Sequence, residues 1–110
     1  MAYDEDLADR IRDELAGQFD VTEQKMFGGL AFLVGGNMAV AASGQGGLMV
    51  RCDPETTDSL LEEDGAEPFV MRGRAMEGWL RVSTEAVRTK AALRRWVKRG
   101  ADYAGSLPPK

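Results

Sequence analysis

The sequence has no histidine and only one cysteine, Cys52, among its 110 residues. Without histidine, the chain cannot form a Ser-His-Asp or Cys-His nucleophile arrangement, an imidazole general base or a metal site with an imidazole ligand. A single cysteine cannot form an internal disulfide or a thiolate metal cluster. These absences argue against an enzyme, so we expect no catalytic residues, no metal site and no cofactor.

The sequence also lacks a long apolar run and a signal peptide. Its least polar stretch, residues 28–42, is interrupted by Gly35-Gly36-Asn37, whereas a membrane span needs about 20 predominantly apolar residues. The first residues, Met1-Ala2-Tyr3-Asp4-Glu5-Asp6, are acidic where a signal peptide is basic. We therefore expect no membrane contact and a cytoplasmic location, where a lone thiol stays reduced.

The composition that remains is typical of a folded protein, with 44% hydrophobic and 29% charged residues. The length predicts a single domain over residues 1–110. The net charge of −4 is unevenly distributed, because residues 1–24 carry −6, residues 25–85 carry −4 and residues 86–110 carry +6. Two interpretations are open: two solvated helix faces of opposite sign, or a basic C-terminal face that meets an acidic partner or nucleic acid.

Hydrophobic spacing and turn residues predict an α+β fold of two layers, in the order α-β(3-4)-α-β(2)-α. A central antiparallel sheet, made of a meander and a hairpin, is expected to be flanked by helices. The predicted helices span residues 4–16, 53–64 and 84–104. The predicted strands span residues 23–27, 30–34, 38–42, 48–52, 69–72 and 79–83, with residues 73–78 as the turn between the last two.

The predicted strands are apolar on both faces, so one face would pack on helices and a second subunit could cover the other. This pattern is the reason to expect a homodimer. Five of the six methionines also lie in the strand region. Flexible core filling is the favoured explanation for them, and an adaptable binding surface is the alternative.

Three arginines, Arg88, Arg95 and Arg99, fall within about 40° of one another on an ideal helix that is continuous from residue 84. We expect this basic helix face to pair with acids, either on a partner or within the protein. Three phosphate contacts would give a log–log salt slope of only about −2.7. The chain alone is therefore not expected to bind DNA tightly.

Several motifs resemble the N-terminal domain of the TfoX/Sxy family. The motif blocks begin at Lys25-Met26-Phe27-Gly28-Gly29 and continue, in order, to the end of the chain, and Tyr3-Asp4 with the acidic first helix also resembles the start of this domain. Its other blocks are Phe32-Leu33-Val34-Gly35-Gly36-Asn37-Met38, Leu48-Met49-Val50-Arg51, Gly73-Arg74-Ala75-Met76-Glu77-Gly78-Trp79, Trp96-Val97 and Leu107-Pro108-Pro109-Lys110.

The resemblance implies an α+β domain with a central antiparallel sheet. Longer family members carry a second, helical domain and regulate DNA-uptake competence together with the cyclic-AMP receptor protein; we expect this chain to stand alone without that domain. The family has no established catalytic residues. The motif positions carried over as binding candidates are Lys25, Phe27, Asn37, Arg51 and Arg74, whereas Trp79 is expected in the core.

Together these observations favour a non-enzymatic regulatory or protein-binding module, with a transcription factor among the partners to consider. The first alternative is a nucleic-acid-binding protein that uses the basic helix face. An enzymatic or small-molecule-binding domain is the least favoured function, because histidine is absent and no paired-carboxylate motif occurs.

Overall fold

A computed structural model describes residues 3–18, 20–26 and 28–109 of the chain. The elements are α1 (Glu5–Glu14), β1 (Val21–Met26), β2 (Gly29–Val34), β3 (Asn37–Ala42), β4 (Leu48–Arg51), α2 (Thr57–Leu61), β5 (Ala66–Met71), β6 (Arg74–Val82) and α3 (Lys90–Ser106). Short 3₁₀ turns, Pro54–Thr56 and Glu85–Val87, precede α2 and α3. Within these described ranges, no helix combines the length and the apolar character needed to cross a bilayer.

The six strands form one antiparallel sheet in the order β1-β2-β3-β4-β6-β5. This arrangement confirms the predicted α+β fold with a meander followed by a hairpin. Gly35 and Gly36 connect β2 to β3 with φ values of 60° and 83°. Two consecutive positive φ angles are the signature of the type I′ hairpin turn that Gly-Gly pairs favour.

All three helices lie on one face of the sheet. α3 packs across β2, β3 and β4, and α1 packs against α3 and β3. α2 packs against β5 and β6, and Glu63, just after α2, forms ion pairs with Arg95 and Arg99 of α3. The strand side chains beneath them, which we call the covered face, form the buried core: Leu30, Phe32, Val40, Ala42, Leu48, Val50, Leu80 and Val82.

Gly100 allows α3 to lie directly on the backbone of β3. A Cβ atom at this position would stand 2.5 Å from the carbonyl oxygen of Ala39 and 2.8 Å from a Val40 methyl group. No other residue type fits here without separating the helix from the sheet, because such contacts are well inside van der Waals distance.

Three predicted boundaries in the second half of the chain are wrong. The strand expected over residues 69–72 is β5, which already begins at Ala66. The helix expected over residues 53–64 is shorter, because Asp53 caps a 3₁₀ turn and only Thr57–Leu61 is α-helical. The turn expected over residues 73–78 is mostly strand. Only Arg72 and Gly73 form the turn, with φ values of 54° and 78°, and Gly78 instead lies in an irregular stretch where the β5–β6 register shifts.

The predicted C-terminal helix is also interrupted. A 3₁₀ turn covers Glu85–Val87, and α3 begins only at Lys90, because Thr89 is extended and its side chain caps the helix by accepting the Ala92 N–H. Arg88 therefore precedes the helix and does not share a face with the other two arginines. The predicted apolar side of the helix is confirmed, because the core-facing residues Leu93, Trp96, Val97, Gly100 and Ala104 are all buried.

Candidate functional site

Among residues 3–18, 20–26 and 28–109, no helix packs across the second face of the sheet, and α3 reaches it only through the contact of Tyr103 with Arg51 at the end of β4. We call this surface the open face. Cross-strand pairing places Ala31, Ala41, Met49 and Arg81 in one row across four strands. Arg51 and Trp79 are paired in the same way further along β4 and β6, and alternation places their side chains on this face too.

A groove of about 420 Å³ runs along part of the open face. Small residues such as Ala41 form its floor, and longer side chains form its walls. The groove is lined by Met26, Gly29, Ala41, Met49, Phe69, Val70, Arg72 and Arg81, together with the residues of the β3–β4 turn. Val70 at its rim is 56% exposed. The groove therefore combines an apolar floor with arginines at its sides.

Arg51 is held by aromatic rings at the end of β4. Its guanidinium carbon lies 5.2 Å from the centre of the Trp79 ring and 5.6 Å from that of Tyr103 on α3. Phe69 extends the cluster, because its ring lies 6.5 Å from that of Trp79. A cation over an aromatic face is stabilised by about 0.5–1 kcal/mol at exposed sites. These contacts fix the position of the Arg51 charge before any partner binds.

The arginines on and beside the open face are poorly neutralised by the chain itself. Among the described residues, no ion pair involves Arg51, Arg72, Arg74 or Arg81. The nearest acid in the ladder is Glu67, which is the cross-strand partner of Arg81. Arg81 also donates a hydrogen bond of 3.4 Å to the carbonyl oxygen of Gly46. This surface is therefore locally basic on a chain whose net charge is −4.

The motif positions carried over from the family resemblance do not form one site. Arg51 belongs to the aromatic cluster, whereas Asn37 is buried and its Nδ2 donates a 3.0 Å hydrogen bond to the carbonyl oxygen of Pro108. Lys25 is exposed on β1, and Arg74 is exposed beside the β5–β6 turn. Phe27 lies outside the described residues. Asn37 is best explained as a structural tether for the C-terminal segment.

The basic helix face is not formed as predicted. Arg95 and Arg99 lie on α3 and both pair with Glu63, at 3.7 Å and 2.8 Å. Arg99 also lies over the Trp96 ring, at 4.6 Å from its centre. Arg88 precedes the helix, where its carbonyl oxygen accepts a hydrogen bond from Arg10. The expected pairing with acids within the protein thus occurs for two of the three arginines, and the charge that they offer to a partner is reduced.

Sequence reasoning missed most of the open face. Met49 and Arg51 are two residues apart on β4, and Trp79 and Arg81 are two residues apart on the neighbouring β6. A spacing of two places both residues of each pair on the same face of their strand. This spacing is visible in the sequence, but it indicates a shared surface only if β4 is known to pair with β6. Trp79, expected in the core, is instead half-buried on the open face.

Cys52 lies on the opposite side of the sheet from Arg51. It is buried in the core, and its Sγ atom lies 3.7 Å from Oγ1 of Thr57. Burial raises the pKa of the Cys52 thiol, because the thiolate would lose its hydration. The hydroxyl of Thr57 also accepts the Gly78 N–H at 2.9 Å. This group of residues stabilises the junction of β4, α2 and β6.

A comparison with known protein families gives the evolutionary context of this arrangement. The family model of the TfoX N-terminal domain matches residues 13–104. The chain belongs to the TfoX N-terminal domain family. No curated protein matches the sequence at a significant level. The matched range of this TfoX N-terminal domain includes all six strands and therefore the whole open face.

Proposed function

We propose that this TfoX N-terminal domain is a non-enzymatic regulatory module that binds an acidic segment of a protein partner on its open face. One observation carries the proposal: arginines without ion-pair partners stand among aromatic and methionine side chains on a sheet surface that no described helix covers. Protein interfaces are enriched in aromatic residues, methionine and arginine.

The charge of the open face favours an acidic partner. Guanidinium groups bind carboxylates with two parallel hydrogen bonds, and this geometry gives direction as well as energy. Stacking on Trp79 and Tyr103 holds Arg51 in place, so less side-chain entropy is lost on binding. A transcription-related protein with an acidic segment, met in the cytoplasm, is the kind of partner we propose.

A second candidate ligand is single-stranded nucleic acid. The combination of Phe69, Trp79 and Tyr103 with arginines resembles the stacking platforms on which unpaired bases bind. One observation favours protein instead. Arg51 already lies over the rings of Trp79 and Tyr103, so these ring faces are not free to stack on unpaired bases.

A binding experiment with defined probes separates these ligands. Fluorescence anisotropy would compare a labelled dodecamer peptide of Glu, Asp, Leu and Phe with the same peptide carrying Lys at every acidic position, and with a dodecamer of thymidine. We expect the acidic peptide to bind most tightly. The double variant Arg51→Glu, Arg81→Glu should weaken this binding at least tenfold.

The matched control is Arg88→Glu, because Arg88 is exposed but distant in the fold from the open face. The affinity of the Arg88→Glu variant for the acidic peptide should stay within twofold of the wild-type value. If the wild type binds the oligonucleotide more tightly than the acidic peptide, nucleic acid and not a protein segment is the ligand of the open face. Equal binding of both peptides, or an equal loss in the control, would contradict the role of the open face.

A further inference from the structure

The two edges of the sheet differ in how well they are protected from pairing with another strand. At the β5 edge, Pro68 lies within the strand and the register shifts beside it. Proline and irregular pairing are common ways to block an edge. At the other edge, β1 contains no proline and pairs with β2 over six consecutive residues in an unbroken register. The β1 edge is therefore the one suited to accept a further strand.

The hydrogen-bond pattern identifies the outward-directed backbone groups of β1. The Asp20 carbonyl oxygen accepts the Gly35 N–H at 3.1 Å, and these two residues continue the β1–β2 register. Because bonded and non-bonded pairs alternate in an antiparallel ladder, Thr22, Gln24 and Met26 bond to β2. The N–H and C=O groups of Val21, Glu23 and Lys25 therefore point away from the sheet. Within the described part of the chain, no strand pairs with them.

We propose that a second copy of this chain occupies this edge, with the two β1 strands antiparallel about a two-fold axis at Gln24. In this register each Glu23 stands opposite Lys25 of the other copy, and both residues offer outward backbone groups. An axis at Glu23 would oppose two glutamates, and an axis at Lys25 would oppose two lysines. Opposite charges in directly facing positions stabilise a strand pair, and like charges destabilise it.

The charges around Glu23 are complementary to Lys25. Glu23 accepts two hydrogen bonds from Arg12, of 2.7 Å and 2.8 Å, and Asp9 also pairs with Arg12. Two carboxylates thus share one guanidinium, so one negative charge is left over. Among the described residues, no ion pair involves Lys25. Lys25 of the second copy would neutralise this excess charge.

The helices leave room for the second copy. α1 packs over β3 and α3, and β3 is the third strand from this edge. In the paired sheet, five strand spacings of about 4.8 Å would place the two α1 helices about 24 Å apart. A helix with its side chains is only about 10–12 Å wide. Met26 of the groove would lie at the seam, but the pairing leaves Arg51 and Arg81 uncovered, so this inference does not depend on the proposed function.

A cysteine at the axis tests the geometry directly. Gln24 would face Gln24 of the second copy in a non-hydrogen-bonded pair, with Cα atoms about 4.5 Å apart, which is within disulfide range. We expect Gln24→Cys to form a covalent dimer under mild oxidation. In the matched control Thr22→Cys, the two cysteines would be offset by four residues, about 13 Å, and should stay reduced. Cys52 is buried and should not compete.

A charge exchange tests the register independently. Lys25→Glu would oppose glutamates and Glu23→Lys would oppose lysines, so each variant alone should be monomeric by sedimentation. A mixture of the two restores both opposite-charge pairs and should form a heterodimer. Circular dichroism checks that each variant is folded, because Glu23→Lys also breaks the contact with Arg12. Equal cross-linking at positions 22 and 24, no cross-linking at 24, or a monomeric mixture of folded variants would overturn the proposal.

Discussion

The two faces of the sheet use adjacent residues of the same strands for opposite purposes. On the covered face, the row Leu30, Ala42, Leu48 and Val82 is aliphatic, and none of these residues is more than 5% exposed. The neighbouring row on the open face is Ala31, Ala41, Met49 and Arg81. Helices on one side require branched aliphatic side chains that pack tightly. The other side combines a small-residue floor with flexible and charged walls.

The cations follow this division in part. In the helical layer, Arg12, Arg94, Arg95, Lys98 and Arg99 each have an acidic partner within the chain, whereas Arg10 and Lys90 form no ion pair with any described residue. On and beside the open face, Arg51, Arg72 and Arg81 form no ion pair with any described residue. Charge that is neutralised internally contributes to the fold. Charge that is held in place without neutralisation is available to a partner, so the open face is the surface to test for binding.

The largest expected difference between the faces comes from the two tryptophans. Trp96, on the core side of α3, is 1% exposed, whereas Trp79 is half-buried on the open face. Trp96→Ala should lower the free energy of unfolding by about 3–5 kcal/mol, because it leaves a large cavity in the core. Trp79→Ala should lower the free energy of unfolding by only about 1 kcal/mol, mainly because contacts with Arg51 and Phe69 are lost. Urea unfolding measures both, and equal losses would show that the open face is packed like a core.

A pair of glycines in α3 should give effects of opposite sign. Gly100→Ala places a Cβ atom too close to the Ala39 carbonyl oxygen. We therefore expect the free energy of unfolding to fall by about 1–3 kcal/mol, despite the better helix propensity of alanine. Gly105→Ala meets nothing closer than 3.8 Å and should stabilise the protein by up to about 1 kcal/mol. Thermal unfolding of both variants checks the sign. Stabilisation by both would mean that α3 is not held tightly against β3.

The parts of the fold set by local chemistry could be predicted from the sequence. The Gly35-Gly36 pair predicts a hairpin whose flanking strands occur within one residue of their expected bounds. The apolar spacing from Leu93 to Ala104 predicts the buried side of α3. In both cases the residues that determine the structure are close together in the chain.

Features that depend on distant contacts could not be predicted in this way. The helix was expected to run through Arg88, but the extended backbone of Thr89 interrupts it. The open face depends on the pairing of β4 with β6, two strands separated by a helix and another strand. Composition indicates that strands are apolar on both faces, but not which face the helices cover. The candidate site was therefore recovered only in part, through Arg51.

A smaller difference in the free energy of unfolding is expected between two cation variants, one at Arg51 on the open face and one at Lys98 in the helical layer. Arg51→Ala removes contacts with two aromatic rings and should lower the free energy of unfolding by about 1 kcal/mol. Lys98→Ala removes an exposed pair with Asp102 and should change stability by less than about 0.5 kcal/mol. High salt should weaken the effect of Lys98→Ala further and leave that of Arg51→Ala nearly unchanged. A larger cost for Lys98→Ala than for Arg51→Ala would contradict this comparison.

The smallest expected effect is a pH dependence at the edge of the helical layer. Hydrogen bonds from Arg12 hold the pKa of Glu23 below its usual range. A carboxyl whose pKa is lower in the folded state than in the unfolded state stabilises the fold above its unfolded pKa, near 4.3. That stabilisation is lost as the pH falls through the lower, folded pKa. Because the Glu23 side chain is 38% exposed to solvent, its contribution should be below about 1 kcal/mol.

Glu23→Gln tests this assignment because it keeps the shape of the side chain and removes its charge. Between pH 6 and pH 3, the wild type should lose more stability than the variant, and the two unfolding curves should converge at the acid end. The difference at pH 6 should shrink in high salt, since exposed ion pairs are screened. Parallel curves over the whole range would show that Glu23 contributes no net stabilisation through Arg12. In that case its carboxylate would matter only for the proposed pairing with Lys25 of a second copy, which the charge-exchange variants measure separately.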